Sequence, residues 1–260
     1  MRRAAGLPTL TVTLALVATG ALAGCLSDDD DDGAMAVPGQ PFAMDGRGCK
    51  ELLVNVPATA DDVRPLVASG YQMLGEETGQ VTLFAGLQVC DELLLDGIGA
   101  GPASTSDVGV LIQSPDGTPG LHYYQLWWLT DHAGLAERLQ AMGWDAGYVP
   151  ETNLTDGRQM DLLGPVAASI PWAGGAYSVT ANVLALPLPM DADATGWQDG
   201  PFGTVTVAKN LASDQFGTGI GSIVARDGPL ASALGGGVAQ GTALVNLYQM
   251  RGMVDYGDAS

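Results

Sequence analysis

The sequence predicts a mainly β (α+β) protein: one large antiparallel sheet, closed or nearly closed into a barrel, with two or three short helices outside it. Three observations predict this. Most of the chain beyond residue 48 divides into apolar, alternating segments of strand length separated by turn residues. The composition, 47% hydrophobic with 37 Gly and 15 Pro, suits turn-rich sheet better than a helical bundle. No repeat of fixed period and no strand–helix rhythm is visible. An antiparallel sheet of about nine or ten strands tends to curl and close, because closure removes its edges.

In chain order, residues 50–56 predict a first strand, ended by Pro57. Residues 59–68 predict a short helix with Val63, Leu66 and Val67 on one face. Pro65 restricts it to a start near Asp62 or to two turns, and Gly70 stops it. Residues 80–95 form a long strand in which Val81, Leu83, Ala85, Leu87 and Val89 alternate with Thr82, Phe84, Gly86, Gln88 and Cys90. Neither face carries a charge before Asp91, so both faces should be covered.

Residues 107–130 predict a hairpin around Ser114-Pro115-Asp116-Gly117, where Pro presets φ and Gly permits the exit. Strict alternation places Tyr123, Gln125, Trp127 and Leu129 on one face of its second strand. His122, Tyr124, Leu126 and Trp128 take the other. Thr130-Asp131 is expected to cap a helix ending at Gly143, with Leu135, Leu139 and Met142 on its apolar face. Residues 145–161 read as a surface loop. Residues 164–170, 175–186, 203–211, 219–225 and 242–254 read as further strands, with a short helix over 229–234.

The N-terminus carries a different signal. Met1-Arg2-Arg3 precedes an apolar run over 10–22, shorter than the roughly 20 residues a membrane-spanning helix needs. The run ends in Leu22-Ala23-Gly24-Cys25, which resembles the lipobox of prokaryotic lipoproteins. That resemblance implies export, lipidation of the Cys25 thiol and removal of residues 1–24. The protein would then be lipid-anchored on the periplasmic or extracellular face of a cell membrane. Asp28 through Asp32 repel one another and hold the chain extended, and they lack the spacing and turning glycine of a calcium loop. Residues 25–48 are therefore expected to be an acidic tether, and 49–260 a single barrel-like domain.

Charge narrows the partners. With 29 acidic residues against 10 Lys and Arg, the net charge is −19. Such a surface repels phosphate backbones and excludes nucleic acid as a partner; it also disfavours lying flat on anionic lipid. A cationic ligand, or simple solubility in salty surroundings, remains compatible with it. Besides Cys25, the chain has Cys49 and Cys90, an even pair in an exported protein that can be either a disulfide or two buried thiols. Two cysteines and no Cys-x-x-Cys leave no metal site, and no cofactor is expected.

Asn55-Val56-Pro57, followed by Val63-Arg64-Pro65-Leu66-Val67 and Gly70-Tyr71, resembles the opening of the acetoacetate decarboxylase-like superfamily. The later order, a long strand, a hairpin and further strands, is similar as well, so the resemblance covers residues 50–254. It implies a cone-shaped β-barrel around a ligand cavity. Decarboxylases of that family form a Schiff base on a lysine whose pKa an adjacent cation lowers. This chain departs from that pattern. Its lysines are Lys50 and Lys209, neither has a lysine neighbour, and the region directly after the central hairpin, where the catalytic one is expected, contains none. No catalytic residue of the family carries over.

The candidate residues follow from chemistry. Lys209 alternates with Val205 and Val207; on a buried face it is a desolvated amine, at a strand end an ordinary surface lysine. His122 reads as a pocket acid/base or a satisfied core residue, while His132 lies beside the expected helix cap. Tyr123, Tyr124, Trp127 and Trp128 form the densest aromatic cluster, suited to an apolar or cationic ligand or to core packing. Gly217-Thr218-Gly219-Ile220-Gly221-Ser222 lacks the helix and Lys-Ser/Thr of a P-loop, and reads as glycines that let a strand bend. The leading expectation is an envelope lipoprotein whose barrel binds a small, largely apolar ligand. The alternatives are a decarboxylase-like enzyme using Lys209, or a structural lipoprotein without a ligand.

Overall fold

The computed structural model describes residues 39–150, 164–171, 175–184 and 188–257. The expected leader, Cys25 and the Asp28–Asp32 run lie outside the described residues. Ten strands are described: β1 (Phe42–Thr59), β2 (Gln80–Leu95), β3 (Ile98–Leu111), β4 (Leu121–Thr130), β5 (Ala146–Tyr148), β6 (Gly164–Ile170), β7 (Tyr177–Val183), β8 (Leu188–Gly200), β9 (Gly203–Ala225) and β10 (Val238–Tyr256). The helices are α1 (Ala60–Val63), α2 (Ala133–Met142) and α3 (Gly228–Ala233). Among the described residues no helix is long and apolar enough to cross a membrane.

The sheet runs β10-β1-β2-β3-β4-β8-β9, and β9 pairs back onto β10 to close a seven-stranded barrel. Neighbours are antiparallel except at β4–β8, which is parallel. From the C-terminal half of β9, β7 and then β6 continue the sheet. Closure gives each of these strands a neighbour on both edges over part of its length, which removes the free edges of an open sheet.

Both faces of the central strands are buried, as the uncharged alternation of β2 requires. Leu52, Val54, Leu83, Leu87, Val108 and Val110 face a core completed by the β6–β7 hairpin, α1 and α3. On the opposite face, Phe42, Met44, Cys49, Cys90, Trp128, Val207, Tyr248 and Met250 form the inward-facing core. Onto it α2 lays Leu135, Leu139 and Met142, all fully buried. Each such side chain contributes about 1.5–3 kcal/mol of hydrophobic stabilisation.

Several elements differ from the sequence reading. β1 begins at Phe42, so residues 42–48 are strand rather than the end of a tether: Phe42 and Met44 are buried and pair with Val254 and Gly252. The Gly46-Arg47-Gly48 stretch that looks like loop is a bulge. β3 begins at Ile98, after a hairpin turn in which Asp96 (φ 52°) and Gly97 (φ 79°) both take the left-handed conformation. An Asp-Gly pair between two strands is the signal for that turn. β8 is a strand that the sequence reading lacks, because Pro189 and its aspartates interrupt the apolar pattern. β9 is one strand through Gly219 and Gly221, where β7 crosses closely: a Cβ on Gly221 would sit 2.9 Å from the Thr180 carbonyl oxygen.

Cys49 and Cys90 are disulfide-bonded, joining β1 to β2 on the inward face. The bond needs the glycine at 46, since a Cβ there would lie 2.6 and 2.8 Å from the two sulfurs. Closing a loop with a sequence separation of 41 stabilises by about 4 kcal/mol in the chain-entropy model. Replacing both cysteines by alanine should therefore lower stability by about that amount in urea denaturation. An unchanged midpoint would mean that the bond does not form in solution.

Candidate functional site

Charged groups gather at one place on the inward face. Lys209 on β9 is 7% exposed, and its Nζ donates to Asp107 Oδ2 on β3 at 2.9 Å. β3 and β9 are not neighbours in the sheet, so this contact crosses the barrel interior. Across the ladder Lys209 is flanked by Ala194 on β8 and Gly252 on β10, small residues that leave its stem room. The ammonium also lies 4.5 Å from the centroid of the Trp128 ring, within cation–π range. Asp107 Oδ1 is buried and has no hydrogen-bond partner among the described residues, so half of this carboxylate's accepting capacity is unused there.

Further polar groups face the pair. Glu51 on β1 is partly buried and accepts a hydrogen bond from Asn246 Nδ2 on β10 at 2.9 Å. Burial raises the Glu51 pKa against the lowering effects of Asn246 and Lys209, and the Asp107 charge adds to the rise. Burial alone would depress Lys209. The Asp107 carboxylate, with Tyr123 and Glu51, outweighs it and holds the ammonium above the ordinary lysine range. Tyr123 is pushed up to about 12, chiefly by burial, and burial likewise raises Tyr248. At neutral pH the Lys209 nitrogen therefore rests as an ammonium.

The aromatic residues do not alternate as their spacing predicts. Val108 pairs with Trp127 but Gly109 pairs with Gln125, so Leu126 is the extra residue of a bulge. Tyr123 and Trp128 therefore share the face of Lys209, while Tyr124 and Trp127 pack into the opposite core. The Tyr123 ring lies over Gly196, where a Cβ would come within 2.7 Å of it. The four residues do not form one binding surface.

The histidines are structural. Trp197 Nε1 donates to His122 Nδ1 at 3.1 Å, which leaves the proton on Nε2 facing the Thr118 carbonyl at 3.0 Å. Buried with both nitrogens engaged, His122 has neither free nitrogen nor solvent for acid–base work. The cap of α2 is His132, whose Nδ1 accepts from Leu135 N–H at 3.0 Å; Asp131 instead accepts from Ser104 N–H. Among the described residues no group of His, Cys, Asp and Glu could hold a metal ion. Sequence reasoning reached Lys209 but not Asp107, Glu51 or Asn246, which only the barrel brings to it.

No family model and no curated protein matches the sequence. Solved structures do match the fold. The chain is similar to the enduracididine biosynthesis enzyme MppR complexed with pyruvate, at 13% identity and a TM-score of 0.57, over 87% of this chain and 91% of that one. It is also similar to an acetoacetate decarboxylase-like enzyme from Sphingomonas wittichii RW1, at 10% identity and TM-score 0.56, over 85% and 92%. Acetoacetate decarboxylase from Legionella pneumophila gives 10% identity and TM-score 0.55, over 85% and 87%. The fold is that of the acetoacetate decarboxylase-like proteins, as the motifs over residues 55–71 implied.

The pair makes a stability prediction. Asp107→Asn should cost about 3–5 kcal/mol, because it leaves a buried ammonium without its counter-charge. Asp107→Leu combined with Lys209→Met should recover most of that loss in chemical denaturation. Because folding raises the Lys209 pKa, its contribution is complete below about pH 10.4 and fades as pH climbs through the folded value. On the alkaline side, wild type should thus lose stability relative to the double variant in strong alkali, as Lys209 gives up its proton.

Proposed function

We propose that this chain is an acetoacetate decarboxylase-like enzyme in which Lys209 forms an imine with a small 2-oxo acid, and that Cys25 anchors it to a membrane. The carrying observation is that, of only two lysines in the sequence, Lys209 lies inside the barrel 2.9 Å from a carboxylate. Pyruvate is the first probe, since the similar enzyme MppR is described in complex with it.

The ammonium must first lose a proton, and Asp107 Oδ2 is placed to take it. The neutral nitrogen then attacks the carbonyl carbon, and the resulting carbinolamine hydroxyl finds an acceptor in the unpartnered Asp107 Oδ1. Return of the proton expels that hydroxyl as water. In sum, ammonium and carbonyl become iminium and water, and Asp107 ends as carboxylate. The electrostatics differ from a lysine activated by a second cation: here deprotonation limits attack.

Borohydride reduction with pyruvate should leave a stable adduct on Lys209, located by peptide mass spectrometry and absent in Lys209→Met. Trapping should speed up as pH rises in wild type. Asp107→Asn removes the carboxylate that holds the proton and should move that rise to lower pH. No adduct at any pH would overturn the reading.

The held ammonium favours a second reading, in which the barrel keeps a small, largely apolar acid non-covalently against Lys209 and Trp128. Native mass spectrometry would then show a retained ligand with no reducible adduct. The anchor has its own test: Cys25→Ala should move the protein from the membrane to the soluble fraction, and unchanged fractionation would refute it.

A further inference from the structure

Lys209 and Asp107 are buried, so proton exchange with solvent is helped by a titratable neighbour that is less buried than they are. Glu51 has that position. It is partly buried, lies between Gln88 and Asn246 in the β2–β1–β10 ladder, and is anchored by Asn246 Nδ2 at 2.9 Å. The titratable groups that face it come from four other strands: Asp107 on β3, Tyr123 on β4, Lys209 on β9 and Tyr248 on β10. With Glu51 the cluster holds two carboxyls against one ammonium. Asp107 is committed to Lys209 at 2.9 Å, which leaves Glu51 as the carboxyl free to gain or lose a proton.

We infer that Glu51 is a catalytic acid–base that carries protons between solvent and the carbon next to the Lys209 imine. The inference rests on the imine reading of Lys209. In the step assigned to it, the Glu51 carboxylate removes a proton from the methyl carbon of the pyruvate iminium. The C–H electron pair becomes the carbon–carbon double bond of an enamine, and the C=N pair moves onto nitrogen. Glu51, now protonated, exchanges with solvent and returns a proton to the same carbon. Burial, which raises its pKa, suits it to hold that proton closer to neutrality than an exposed glutamate.

The test is deuterium uptake by the pyruvate methyl group in D2O, followed by NMR, with borohydride trapping measured in parallel. Glu51→Gln should keep the Lys209 adduct and lose uptake by about 100-fold or more. Asn246→Leu removes the hydrogen bond that favours the Glu51 carboxylate, so the pH midpoint of uptake should rise while trapping is unmoved. Uptake at the wild-type rate in Glu51→Gln overturns the role. So does loss of trapping in both variants with the fold intact by circular dichroism, because Glu51 would then act only through the charge on Lys209. If wild type itself traps no adduct, the Lys209 reading falls and the Glu51 role falls with it.

Discussion

One contact, the Lys209–Asp107 ion pair, organises the interior of this barrel. Two side chains from non-adjacent strands of the barrel meet at 2.9 Å in a surrounding of Trp128, Tyr123 and Tyr248. Burying either charge alone would cost several kcal/mol. The pair can exist only if the barrel closes accurately enough to bring both partners to contact. Small residues make that closure possible: Ala194 and Gly252 beside the lysine, and Gly196 beneath Tyr123.

The same pair sets the chemistry. A lysine in an apolar cavity would lose its proton readily, because desolvation penalises the charge. Here a carboxylate within hydrogen-bond distance reverses that balance and keeps the ammonium. The fold is shared with acetoacetate decarboxylase-like proteins at only 10–13% identity. At that identity the likeness concerns the backbone alone, and the electrostatics around Lys209 are set by this chain's Asp107 and Trp128. On the proposed reading, Asp107 Oδ1, which has no hydrogen-bond partner among the described residues, and the partly buried Glu51 would serve the chemistry beside the ion pair.

Irregularities in the strands decide what faces what. The bulge at Leu126 moves Trp128 to the lysine and Trp127 to the opposite core, reversing the assignment that alternation predicts. The Gly46–Cys49 bulge and the disulfide fix β1 where Phe42 and Met44 enter the interior. One inserted residue exchanges the two faces for everything beyond it.

By itself the sequence determined the mainly β class, the extent of β2, β4 and β6 and the apolar face of α2, and its residues 55–71 carried the resemblance that the fold agrees with. Those are local properties: side-chain period, turn residues and short spacings are written in consecutive positions. It also singled out Lys209, because an alternating strand carries it on the face of Val205 and Val207. Tertiary structure alone decided that Cys49 meets Cys90, that His122 is satisfied by Trp197 and Thr118, and that Asp107, Glu51 and Asn246 converge on the lysine. Asp107 and Lys209 are 102 positions apart, and no local pattern records which strands face each other across a closed barrel. That information resides in the register of the whole sheet, which forms only when every strand has paired.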